Sequence, residues 1–389
     1  RREIAAAEAN GDTKLAERLR QEYEYYGIDT CAVDGMCVTR CPVLINTGDL
    51  VRRLRAENQD ALGAAGWKFA SKHWGAVDKV AGKALTVAKM LPFPMVRGAT
   101  DIGRKLFGDD MVPAYKKGLS AGGAPRVPHA EANPDIVFFP ACVNAMFGGV
   151  DGEGKHDPVN ATQAFIRLCE RAGVKYRIPE GIDQMCCGTP WKSKGYTDGY
   201  SIMSDRVLKA LWQATDGGRI PIVCDASSCT EGLEVMRAKV AAAVEHKITQ
   251  GLGAGEADYA QLKLIDSVQF AADTLLPKLT VSAPLPSLAL HPTCSMTHLG
   301  VQPAFEKIAN AVSEQVYVPK NWGCCGYAGD RGMLHPELTQ SATRAETAEL
   351  NEHEFAAYAS SNRTCEQGMT EATGHTFQNV LQLLERATR

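Results

Sequence analysis

Short apolar runs that end on a cysteine and are followed by helix-period stretches recur through the last two thirds of the chain. Asp135-Ile-Val-Phe-Phe-Pro-Ala-Cys142 reads as a buried strand delivering a cysteine at its carboxyl end. A helix is expected over 158–172, with Asn160 as its cap and Phe165, Ile166 and Leu168 on its apolar side. A strand near 175–178, a helix over 196–214 and a strand over 220–224 continue the alternation. Residues 245–280 read as a mostly helical connection. The pattern then restarts: a strand over 287–294, a helix over 303–312, a strand over 315–319, a helix over 336–352, a strand near 356–359 and a terminal helix over 369–386. Alternating strands and helices predict parallel sheets, with ligands at the carboxyl ends of the strands.

The front of the chain is patterned differently. Residues 1–27 read as a charged helix, and another helix starts after Thr47 or Asp49. The stretch 62–107 is amphipathic and basic, setting Trp67, Phe69, Trp74, Val77, Val80, Leu85 and Val87 against Lys68, Lys72, Lys79, Lys83, Lys89, Arg97, Arg104 and Lys105. Pro92 and Pro94 interrupt it. Such a segment either lies on an anionic membrane surface, docks on an acidic partner, or turns its apolar side to this protein's own core. Gly122, Gly123, Pro125 and Pro128 mark a loop and a boundary near 108–133.

The expected architecture is α/β: two Rossmann-like repeats with parallel sheets, preceded by an α-helical ferredoxin-type segment. The expected divisions are 1–60 (partial ferredoxin-type domain), 61–133 (basic helical linker), 134–245 (first repeat), 246–284 (helical connection) and 285–389 (second repeat). Hydrophobic residues make up 45% of the 389 residues and charged residues 22%, which fits a soluble globular protein. A net charge of -3 gives no reason to expect nucleic acid. No apolar run is long enough to cross a bilayer, and no secretory signal pattern opens the chain.

Thirteen cysteines change the picture. Cys186-Cys187-Gly188 and Cys324-Cys325-Gly326 are two copies of one motif, and each lies between outlying cysteines. Cys142, Cys224 and Cys229 surround the first pair, and Cys294 and Cys365 the second. Cys169, on the apolar side of a helix, reads as a core cysteine. Adjacent cysteines do not easily pair with each other, and disulfide scaffolds are usually short and loop-rich, so metal ligation is the better reading. Four or five thiolates suit zinc or an iron–sulfur cluster. Cys31-Ala-Val-Asp34-Gly-Met-Cys37-Val-Thr-Arg-Cys41-Pro42 keeps the ferredoxin spacing C-x2-C-x2-C-x3-C-P, with Asp34 in place of the second cysteine. Asp34 is either a poorer iron ligand, giving a [3Fe-4S] or labile [4Fe-4S] cluster, or a turn residue before Gly35. Cys31 and Cys37 would serve one cluster and Cys41 a second, so either a partner cysteine run lies upstream of Arg1 or the clusters do not assemble fully on these residues. His291 and His298 flank Cys294: either could support a site by ligation or hydrogen bonding, and the plainer reading is a turn histidine and a helix-end histidine.

The paired Cys-Cys-Gly motifs resemble the cysteine-rich domains of heterodisulfide reductase, of glycolate oxidase iron–sulfur proteins and of anaerobic glycerol-3-phosphate dehydrogenase. The run from Asp29 to Leu50, with Cys224-Asp-Ala-Ser-Ser-Cys229-Thr-Glu-Gly, is similar to the C-terminal half of FAD-linked D-lactate dehydrogenases. The resemblance spans essentially the whole chain. It implies iron–sulfur clusters on Cys31, Cys37, Cys41, Cys142, Cys186, Cys187, Cys224, Cys229, Cys294, Cys324, Cys325 and Cys365. It also implies an FAD-bearing domain, upstream or on a separate chain, and electron transfer to a quinone or cytochrome. A cytoplasmic location, peripheral at the inner face of the membrane, goes with that reading. In the reductase each repeat ends C-x2-C and holds a noncubane cluster on five cysteines. Here the first repeat ends C-x4-C and can reach five thiolates, whereas the second keeps only Cys365, with Asn362 three residues before it. The alternatives are a catalytic module acting on a disulfide or quinone and a redox-silent zinc-stabilised docking module.

Overall fold

The computed structural model describes residues 1–116, 118–149, 159–249 and 258–389. Two four-stranded parallel sheets carry the two halves of the cysteine frame. The first contains β1 (Ile136–Phe139), β2 (Tyr176–Arg177), β3 (Ile222–Cys224) and β4 (Leu264–Asp266), in the order β2-β1-β3-β4. The second contains β5 (Leu288–Leu290), β6 (Val316–Tyr317), β7 (Ala357–Ser360) and β8 (Phe377–Asn379), in the order β6-β5-β7-β8. The topology is the same twice, as the sequence pattern predicts. Every residue of β1, β3, β5 and β7 is buried, which is why these central strands read as continuous apolar runs and not as alternating ones.

Helices cover the sheets. Ala161–Arg171 starts at Asn160, whose side chain accepts from the Gln163 amide while Gln163 reaches back, a full capping box. The helix Val380–Ala387 is capped in the same way by Asn379 and packs on it. Arg171 bonds the Glu385 carboxylate at 3.0 Å and Gln382 donates to the Val159 carbonyl at 2.7 Å. The two repeats therefore share one apolar core, in which Phe138, Phe165, Phe305, Leu384 and the core cysteine Cys169 are all fully buried.

Two strands depart from the expected pattern. β4 lies in the connection read as mostly helical, and β8 divides the terminal stretch read as one helix. Both are edge strands, Leu264-Ile-Asp266 and Phe377-Gln-Asn379, that mix apolar with polar residues; pairing with the neighbouring central strand makes them strands. Gly374 ends the helix Arg363–Thr373 at a φ of +79°, a left-handed position that blocks a continuous helix. Part of the connecting stretch, 250–257, and the start of the expected 158–172 helix lie outside the described residues.

Ahead of the repeats, Arg2–Ala9 and Thr13–Glu24 form two helices divided at Asn10-Gly11, so the charged 1–27 stretch is not one helix. Thr47–Glu57 is capped by Asn46. Buried Arg55 on that helix donates to the carbonyls of Ile28 (2.6 Å), Cys31 (2.8 Å) and Ser193 (2.8 Å), tying the Cys31 segment to the first repeat. Residues 61–107 form three helices, Ala61–Lys72, Trp74–Met90 and Phe93–Phe107. Trp74 is buried and packs edge-on against Trp191 at 4.8 Å, and Trp67 accepts from Trp191 Nε1 through its carbonyl at 2.8 Å. These two tryptophans belong to the protein's own core. The last helix faces the other way: Arg97 and Arg104 turn inward to the carbonyls of Tyr115, Val112 and Leu334, while Met95, Ile102, Leu106 and Phe107 stand exposed.

Candidate metal centres

In the first repeat the predicted donors sit at or beyond the carboxyl ends of the strands. Cys142 opens a short helix after β1, Cys186 and Cys187 follow β2, Cys224 ends β3, and Cys229 lies in the first turn of the helix Ser227–Thr249. All five are buried. They touch in sequence: Cys142 Sγ is 3.6 Å from Cys186 Sγ, Cys186 meets Cys187, Cys187 meets Cys229, and Cys229 meets Cys224. Hydrogen bonds from Cys186 and Cys229 draw the Cys187 thiol well below its usual pKa, and Thr189 adds to this. Burial drives Cys186 the other way. Gly188 follows the pair at a φ of +80°, and a Cβ there would meet Tyr200 at 2.8 Å; this turn requires glycine.

The second repeat brings together Cys294, Cys324, Cys325 and Cys365, with Cys294 against Cys324, Cys324 against Cys325 and Cys325 against Cys365. Its neighbour Cys324, and then burial, push the Cys294 thiol well above its ordinary pKa. Buried thiols crowded this way gain a charge partner when a metal replaces their protons. Four or five such thiols per repeat are compatible with iron–sulfur binding.

His291 is not a simple turn histidine. It is fully buried just after β5, and its Nδ1 lies 2.8 Å from the buried Glu346 carboxylate. Burial opposes its protonation, but Glu346 and Cys325 outweigh that and hold its pKa at about 10. Among the described residues, one trio of potential ligands converges within 4.8 Å: His291, Cys325 and Cys365. Glu346 escaped the sequence reading. Its signal was its place in the stripe Thr339, Thr343, Glu346 and Leu350, the inward face of the helix Pro336–Leu350.

The ferredoxin-like segment behaves differently again. Cys31, Cys37 and Cys41 are half-buried and do not converge as a trio among the described residues. Cys37 accepts from the Thr47 amide and hydroxyl, both at 3.3 Å; burial opposes its ionisation, but these bonds lower its pKa. Asp34 accepts from the Met36 amide at 3.2 Å, as a turn residue does. The loop presses on the second repeat: a Cβ on Gly35 would come within 2.9 Å of His298, and the Asp34 charge acts on Cys294 and Cys324. His298, at a helix end, bonds Glu231 of the first repeat at 2.9 Å, and Ser295 donates to the same carboxylate at 2.7 Å. Ser227 with Ser361 at 3.2 Å, and Ser228 with Asn362 at 2.9 Å, close the seam between the repeats. All three cysteine-bearing regions thus adjoin.

Residues 136–234 and 288–370 match the family model described as the CCG cysteine-rich domain, one match per sheet. The chain is also similar to "Lactate utilization protein A" of Oceanobacillus iheyensis, 25% identical over 227 residues, covering 56% of this chain and 80% of that protein. "Lactate utilization protein A 1" of Bacillus mycoides is 23% identical over 197 residues, covering 48% of this chain and 72% of that protein.

Proposed function

Because the chain carries two copies of the CCG cysteine-rich domain, we propose that it is the iron–sulfur electron-transfer part of a flavin-dependent D-lactate dehydrogenase. The kinship to two proteins named for lactate utilization supports the substrate. The observation that carries the redox reading is the adjacency of the three cysteine regions, with the Cys31–Cys41 loop against the second repeat and the second against the first. Oxidation of D-lactate to pyruvate releases two electrons and two protons to a flavin domain. Iron–sulfur groups, when bound, pass electrons singly. This chain's thiolates hold them, its buried strand ends keep water from them, and its seam residues fix their spacing. Metal and acid-labile sulfide analysis with electron paramagnetic resonance on anaerobically prepared protein tests this. Iron, sulfide and lactate-dependent reduction in the protein with its flavin domain are expected; zinc without sulfide, or no reduction by lactate, would overturn it.

The acceptor in this reading is a quinone or cytochrome at an anionic membrane surface, met through the outer face of 74–111. Met95, Ile102, Leu106, Phe107 and Met111 are 59–71% exposed there, alongside exposed Val80, Val87 and Met90. Exposed Lys83 and Lys105 lie in the same helices, a charge complement to acidic lipid. Phosphatidylglycerol vesicles are expected to sediment the protein and phosphatidylcholine vesicles to do so less, with Leu106→Ser/Phe107→Ser weakening both. Equal recovery in the supernatant with and without vesicles would sink the membrane contact.

A further inference from the structure

The second repeat lacks the thiol that Cys224 gives the first, and the sheet register identifies the corresponding position. In the first sheet Phe139 on β1 pairs with Cys224 on β3. The second sheet has the same register, Leu288 with Ala357 through Leu290 with Ala359, and one more step sets His291 beside Ser360. Two bonds confirm that step: the His291 amide donates to the Ala359 carbonyl at 2.8 Å, and Ser360 Oγ donates to the His291 carbonyl at 3.0 Å. Cysteine has become serine, and that hydroxyl is engaged with backbone. On the neighbouring strand, where the first repeat has an inert phenylalanine, the second has an imidazole.

Residues in register on adjacent strands project from the same face of a sheet. A donor that moves one strand over therefore stays on the side where the thiols gather. His291 meets the other demands of a ligand. It is completely buried, Glu346 holds Nδ1, and Nε2 has no partner at hydrogen-bond geometry among the described residues, although the Cys325 thiol lies against the ring. A buried ring nitrogen left without a partner is costly unless something unseen occupies it. A carboxylate on the far nitrogen is the usual support of a metal-bound histidine.

We propose that His291 ligates, through Nε2, the metal centre held by Cys294, Cys324, Cys325 and Cys365, and that Glu346 is the positioning residue that fixes its tautomer and direction. The inference rests on the second repeat holding a metal group, as in the reading above. A neutral imidazole in place of a thiolate removes one negative charge from the centre, which makes it easier to reduce. Of the two repeats, the second is then the better electron acceptor.

Anaerobically prepared protein in three forms, wild type, His291→Cys and Glu346→Gln, supplies the test. Pulsed paramagnetic resonance of the wild type should show nitrogen coupling from a bound histidine. His291→Cys should keep the metal, lose the coupling and lower the midpoint potential of one centre only. Glu346→Gln should weaken metal retention against a chelator by about 10–100-fold. Wild-type protein with both repeats loaded and no nitrogen coupling would overturn the proposal. If the second repeat holds zinc, its electron-transfer role fails while His291 is still judged: imidazole scattering in X-ray absorption and faster zinc loss from His291→Ala support ligation, and their absence refutes it.

Discussion

The two repeats use one sheet order and one cysteine frame, but they complete their donor sets from different strands. In the first, Cys224 on β3 supplies the fifth thiol beside Phe139 on β1. In the second, Ser360 stands at the β7 position and His291 faces the site from β5. In both repeats the thiols touch one after another; in the second an imidazole joins them, with His291, Cys325 and Cys365 within 4.8 Å. A parallel sheet permits such an exchange because its register holds neighbouring positions side by side on one face. Duplication fixed the scaffold and left the chemistry of each copy free to diverge.

The largest effect should come from removing the central thiols. Cys187→Ser should strip metal from the first repeat alone, and Cys325→Ser from the second alone. Metal analysis and resonance spectra showing that either change empties both repeats would break the comparison of two independent centres. Next in size is the exchange of donor sets: His291→Phe with Ser360→Cys gives the second repeat the first repeat's pattern. The variant should retain metal and bring the potentials of the two repeats together in a redox titration, whereas His291→Phe alone should lose it.

The smallest effect concerns the loop that delivers Cys324. Glu349 accepts from Tyr317 Oη (2.6 Å) and from the amides of Lys320 (2.7 Å) and Asn321 (2.9 Å). Burial opposes its ionisation, yet these donors together outweigh it and hold its pKa at about 2, below the ordinary 4.5. A carboxylate depressed on folding contributes stability above its unfolded pKa, which is lost as pH falls from about 4.5 through about 2. Protection of the Lys320 and Asn321 amides in metal-free protein, taken against the intrinsic exchange rate at each pH, should therefore drop several-fold over that fall. Glu349→Gln should show the lowered protection already at neutral pH. Unchanged exchange in the variant would show that the carboxylate does not hold this loop.

Much of this was legible locally. Apolar runs ending on Cys142, Cys224 and Cys294 mark buried strands because a strand covered on both faces needs no alternation. Asn160 announces its helix because a cap acts within one turn. β4 and β8 were not legible, since Leu264-Ile-Asp266 and Phe377-Gln-Asn379 are edge strands that mix apolar with polar residues and write no continuous apolar run. The basic 62–107 stretch divided its loyalties for a similar reason: Trp67 and Trp74 found core partners, while Leu106 and Phe107 did not.

By itself, the sequence determined the duplicated parallel α/β scaffold and the cysteines that converge in each copy, because strand burial, helix caps and motif spacing are written in neighbouring residues. Tertiary structure alone decided that His291, and not His298, faces the second centre with a buried carboxylate behind it. His291 lies 55 residues from Glu346, 69 from Ser360 and three from Cys294, and only the register of β5 on β7 and the inward face of one helix set them around the same point.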